Sequence, residues 1–360
     1  MEVGPDEDLA AVLLGLPAGA TVQLAEGVYR LAAGLTLGNG LQVRGAGPER
    51  TRVLCRKAPR ACVLTLDLPH GAAFVLGDLS LGYLEDESEG PSGYLFESDL
   101  LAIRGGELHL QGCRLAGSLA EHAKSSKPYG GAGLRVSGDA IVEAIDCRFE
   151  TNGSQGVAVE GRSRVTLRDC WIADNRGLGL VVGDQASLAV NGTACTGNGR
   201  GGFAAYDAAS CALTDSISER NRGAGLLLDS SGACVAEGCT IEANGGPGIE
   251  VRRGEATVQR TTVRLGQGAG LLVAPAAGVV AIENRIEDTN GNGVDVGPGA
   301  SVTLERNVVS RSRAHGIVIA AGVRGTVREN WANENGGHNL SVVPAPALEV
   351  VANHAEVHRA

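Results

Sequence analysis

Residues 156–178 read GVAVEGRSRVTLRDCWIADNRGL, and the same pattern returns along the chain every 23 residues. Gly133, Gly156, Gly179, Gly202, Gly225, Gly248, Gly270, Gly293, Gly316 and Asn339 fall in line, with a single step of 22 between Gly248 and Gly270. An apolar–x–apolar pair follows most starts, as in Leu134/Val136, Val157/Val159, Leu226/Leu228 and Ile317/Ile319. A second pair stands eight residues further on (Val165/Leu167, Val302/Leu304), and a third short stretch holds Phe149, Ile172, Ile241, Val263, Ile286 and Val309. Alternation of period two in runs this short and Gly-punctuated predicts strands. Three strands per repeat leave no room for a crossover helix, so each repeat is read as one coil of an all-β parallel β-helix solenoid. About 12–13 coils of about 23 residues are expected, over residues 19–353.

Stacked coils turn sequence positions into columns. Cys147, Cys170, Thr193, Ser216, Cys239, Thr261, Asn284, Asn307, Asn330 and Asn353 form one, at the bend between second and third strands. Asn152, Asn175, Asn198, Asn221, Asn244 and Asn335 form another five residues later. Small polar side chains there suit turn chemistry better than catalysis or metal binding, because they can bond the turn backbone and the next coil. Asn is also expected to supply the left-handed conformation of a tight corner.

These coil-forming residues resemble those of the right-handed parallel β-helix superfamily, which holds pectate lyases, polygalacturonases, carbohydrate epimerases and many non-catalytic repeat proteins. The resemblance covers nearly the whole chain and implies the pectate-lyase-like fold. Its enzymes carry acidic pairs that this sequence does not match. Asn290-Gly-Asn-Gly-Val-Asp-Val has the frame of a polygalacturonase motif, but Asn292 stands where the catalytic Asp belongs. His315-Gly316 resembles that family's His-Gly pair in a different coil, and is read as a turn. The non-catalytic repeat branch is therefore the expectation.

The chain of 360 residues has 54 Gly, 3% aromatic residues and a formal net charge of −10. With no basic run, nucleic acid is not expected as a partner, and no apolar run is long enough to span a membrane. The acidic N-terminus lacks signal-peptide features. Nine cysteines without Cys-x-x-Cys spacing are read as buried thiols, and the location expected is cytoplasmic.

Leu9, Val12, Leu13 and Leu16 make an apolar helical stripe that Asp6, Glu7 and Asp8 would start, so residues 1–18 are expected to form a capping helix. Residues 51–64 look irregular, and 354–360 are expected to be a tail or short cap. Two adjacent coils carry extra residues at one corner, giving long loops over 82–98 and 116–130. The first holds Tyr83, Glu85, Asp86, Glu87, Glu89 and Tyr94, and the second Glu121, His122, Lys124, Lys127 and Tyr129. Long loops on a rigid scaffold are where functional residues tend to stand.

Two functions are weighed. In the first, a non-catalytic recognition or scaffold module needs no cofactor and binds a protein partner, or itself, through a flat sheet face. Ala158, Val181, Ala204 and Leu227 make the apolar strip of that face, and Tyr206, Asp229 and Arg252 its rim. The alternative is a polysaccharide lyase or epimerase sited between the two loops and the first-strand face. There Lys124, Lys127, Arg104, Arg135 and His122 would serve an anionic sugar, and Asp67, Glu85 and Asp86 would hold calcium.

Overall fold

The computed structural model describes residues 1–57, 62–84, 97–120 and 131–359. They form a parallel β solenoid of about 14 turns with coils about 23 residues apart and one short helix near the N-terminus. The chain divides into two compact units, Met1–Val181 with Ala186–Leu188, and Val182–Gln185 with Ala189–Ala360.

In the first unit each coil contributes a strand to each of three parallel sheets. Leu134–Val136, Ile141–Ile145 and Arg148–Glu150 make one such coil, and each pairs with the next coil 23 residues on, Leu134 with Val157, Val142 with Val165 and Phe149 with Ile172. The inward residues Leu134, Val136, Val157, Val159, Phe149 and Ile172 are fully buried. Thr51–Cys55, expected to be irregular, is a strand between Gly27–Leu31 and Ser80–Tyr83, with Val53 facing Tyr29 and Leu81. Its alternation is masked in the sequence by Leu54, an apolar residue on the outer side.

The helix runs over Leu9–Gly15, shorter than the stripe suggests. Asp8 stands at its N-cap and accepts the Ala11 N–H, so Asp6 and Glu7 lie outside the helix. Leu9 and Leu13 turn onto the core leucines Leu24, Leu31 and Leu35. Ahead of it Glu2–Val3 adds a strand beside Gln23 and Leu24, which the sequence reading missed.

The second unit repeats the arrangement, from Gly201–Asp207 paired with Leu226–Ser230 to Leu340–Val342 paired with Val357–Arg359. Residues 357–359, expected within a tail or short cap, form a strand. The 22-residue step has a local cause. Asp229 pairs with Arg253 across a bulge, and a single residue, Gly254, then connects Ile249–Arg253 to Glu255–Gln259. Gly254 has φ +74°, and a Cβ there would run into the Ser230 carbonyl.

The polar columns do the backbone work expected of them. Asn284 and Asn307 each donate Nδ2 to a carbonyl of the preceding coil, Val258 and Ala281, at 2.8 Å. Each backbone N–H donates to the next Asn in the column, at 3.0 Å. One expectation is corrected. The left-handed residue is the one before the Asn or Cys: Thr151, Asp174, Arg220 and Ala243 in one column, Asp146, Asp169, Glu283 and Arg306 in the other. The Asn side chains bridge coils, which needs an ordinary backbone and a buried amide instead.

Candidate functional site

In the first unit the sequence-predicted charges gather on the first sheet's outer side. Its strands Leu64–Leu66, Leu101–Ile103, Leu134–Val136 and Val157–Val159 put Thr65, Ala102, Arg135 and Ala158 in one outward column. Asp67, Arg104, Ser137 and Glu160 follow the same strands and form the adjoining column, each N–H bonded to the strand one coil earlier. Asp67, Arg104 and Glu160 are exposed; Arg135 is not. Its guanidinium is clasped by Asp99, with Nε to Oδ2 at 2.7 Å, and by Glu160, with Nη1 to Oε1 at 2.8 Å. Side-chain exposure is 22% for Arg135 and 10% for Asp99.

Asp99 was not singled out in the sequence, yet it is the hub. Its Oδ1 accepts the Ala132 N–H at 2.7 Å, and its carbonyl accepts the Tyr83 hydroxyl at 2.9 Å. Burial pushes the Tyr83 phenol and the neighbouring Cys62 thiol up, and the Asp99 charge adds to both. Burial alone would lower Arg135, but Asp99 and Glu160 outweigh it and hold the guanidinium above its usual range. Arg135 is therefore a fixed cation rather than a base. The described bases of the two long loops meet here, Glu97–Ser98 pairing antiparallel with Leu119–Ala120. Glu85, Asp86, Glu87, Glu89, Tyr94, Glu121, His122, Lys124, Lys127 and Tyr129 lie outside the described residues.

In the second unit the outward column of the first sheet runs Ala204, Leu227, Glu250, Leu272, Asp295, Val318, Ser341. Leu227, Leu272 and Val318 are half-buried. Ala204 is only 3% exposed, and in the first unit Ala158 is 2% exposed while Val181 is half-buried. The two alanines thus offer less apolar surface than expected, since a methyl group is too short to stand clear of longer neighbours. Tyr206 pairs with Asp229 beside the column. Burial raises its phenol, opposed by the nearby Arg252 and Arg200. Arg252 makes a two-pronged contact with Glu250, at 2.6 and 3.2 Å, and Arg253 meets Asp229 at 3.2 Å. Further along, Asn292 donates Nδ2 to Asp295 at 2.9 Å and accepts the His315 N–H at 3.0 Å. Asn292 and His315 are occupied as turn residues.

Among the described residues no group of three or more His, Cys, Asp or Glu is placed to hold a metal ion. No helix among them is long and apolar enough to cross a membrane. All nine cysteines are free thiols, eight buried and Cys62 partly exposed.

Residues 100–233 and 210–354 match the family model described as the right handed beta helix region. The chain belongs to the right-handed beta helix family. Similar solved structures include the periplasmic alginate epimerase AlgG, with a TM-score of 0.53 and 10% identity over 100% of this chain and 83% of that one. The tailspike protein 3 of bacteriophage CBA120 aligns with a TM-score of 0.58 and 11% identity, over 93% of this chain and 56% of that one. The Azotobacter vinelandii mannuronan C-5 epimerase AlgE4 A-module gives 0.49 and 16%, over 95% and 89%. For AlgG and tailspike protein 3, at such identities, the shared property is the fold. Comparison with curated proteins returns no match.

Proposed function

We propose that this right-handed beta helix protein is a non-catalytic recognition module, which takes a protein partner on the outer face of its first sheet in the second unit. One observation carries the reading: the ionised groups of that face already have partners within it. Glu250 is held by Arg252, Asp229 by Arg253, and Asp295 by Asn292. Covering the face would leave Glu250 and Asp229 with their counter-charges and Asp295 with an amide donor, and Leu227, Leu272 and Val318 supply apolar area between them. The test compares the wild type with Leu227→Glu plus Leu272→Glu, by sedimentation velocity for self-association and by quantitative affinity capture for other partners. Association or a captured protein that the double variant loses supports the module. Identical behaviour of the two overturns it.

A carbohydrate-active enzyme is the second reading. It is favoured by the pairing of Glu97–Ser98 with Leu119–Ala120, which joins the described bases of both long loops beside Asp99 and Arg135. Release of unsaturated products from uronic-acid polymers, assayed with and without calcium, would establish it.

A further inference from the structure

Three histidines on consecutive coils of the second unit stack their rings. His315 and His338 lie 5.4 Å apart with planes at 12°, and His338 and His358 lie 3.8 Å apart at 5°. The backbone N–H of His338 donates to His315 Nδ1 at 2.8 Å, which holds the first ring beside the middle residue. The strand that carries His358, Val357–Arg359, is held by only three register pairs, all with Leu340–Val342. The residues before it are held separately, by the bridge and the 5.2 Å ring contact between Trp331 and His354.

We propose that the His338–His358 stack is an acid-released clasp, whose opening frees Val357–Arg359 and uncovers the strand edge of Leu340–Val342. One protonated imidazole stacks well on a neutral one. Two protonated rings 3.8 Å apart repel, and flush stacking leaves little water between them to screen the charges. Three register pairs are a weak anchor against that repulsion. Imidazole is the side chain whose charge changes between about pH 5 and 8. The other charged residues on the packed segments are Asp295 and Arg313, Glu334 between them and His338, Glu356 ahead of His358 and Arg359 after it. Among the described residues none of Asp295, Arg313, Glu334 and Glu356 forms an ion pair with a ring of the stack. Protonating His354 would strengthen its contact with Trp331, so the release is confined to residues 357–359. A freed edge of this kind is a template for another strand.

The test is residue-resolved amide exchange of the full chain at about pH 7.5 and about pH 5, on either side of the imidazole range, expressed as protection factors. Protection at 340–342 and 357–359 is expected to fall by roughly tenfold or more at the lower pH, with Val294–Val296 unchanged. His358→Phe keeps a stacked ring that takes no proton, and should hold its protection at both values. His338→Phe provides the same check should that variant misfold. Unchanged wild-type protection at the lower pH, or an equal loss in the folded Phe variant, overturns the clasp.

Discussion

The side-chain oxygen of Asn330 accepts two hydrogen bonds from Asn307, one from the backbone N–H at 3.0 Å and one from Nδ2 at 2.9 Å. Asn307 Nδ2 also donates backwards to Ala281 O, so one amide ties three coils. Asn307→Leu fills much the same volume but strands the Ala281 carbonyl and the Asn284 N–H, while the Asn330 oxygen keeps the backbone N–H of residue 307. Each stranded group costs about 1–3 kcal/mol, and urea unfolding should register a loss of that order or more. An unchanged midpoint would mean that buried water replaces the amide.

Leu228 is 1% exposed and pairs with Ala205 and Val251 in the inward column. Leu228→Asp would bury an unpaired carboxylate, with an expected loss of about 4 kcal/mol or more. Leu227→Asp, one residue away on the outer side, should shift the melting temperature far less. Equal losses would contradict the assigned register.

Arg135→Ala leaves the Asp99 carboxylate with the Ala132 N–H as its remaining partner. A loss of about 1–3 kcal/mol is expected, with faster amide exchange at Ala132. Glu160→Ala, at an exposed residue, should cost under about 1 kcal/mol.

Thiols supply an alkaline limit. A hydrogen bond with Cys113 and then burial push Cys147 up to about 12, and burial pushes Cys239 up to about 11, against about 9 when free. Folding therefore keeps protons that the unfolded chain sheds. Stability is fully present below about pH 9 and falls as pH rises toward 11–12, each thiol contributing a slope of up to about 1.4 kcal/mol per pH unit. Calorimetry from pH 8 upward measures it, and Cys239→Ala should flatten the decline.

The coils were legible because their cause is local: inward apolar pairs at fixed spacing announce themselves in any repeat. Thr51–Cys55 was hidden because Leu54 on its outer side breaks the alternation. The left-handed corners were assigned one residue late, since Asn suits such a backbone, while its buried amide has a stronger use between coils. Arg135, Arg104, Asp67 and Glu160 were found as neighbours from coil arithmetic alone. Asp99 was not, because it precedes its strand, and only the contact with Arg135 one coil away makes it a hub. A carboxylate's partner across 36 residues leaves no periodic trace.

The bulge at Asp229/Arg253 and the lone linker Gly254 absorb a missing residue within one corner. Pairing beyond it returns to steps of 23, with Glu255 beside Gly278 and Thr262 beside Arg285, while Ile249 ahead of the corner pairs with Leu271, 22 residues on. This corner is thus a length joint, the place in the second unit where the chain tolerates a change in residue count without slipping its neighbours. A loop grafted between Arg253 and Glu255 would inherit that tolerance. A one-residue insertion inside Leu226–Ser230 would turn every following side chain of that strand to the wrong face.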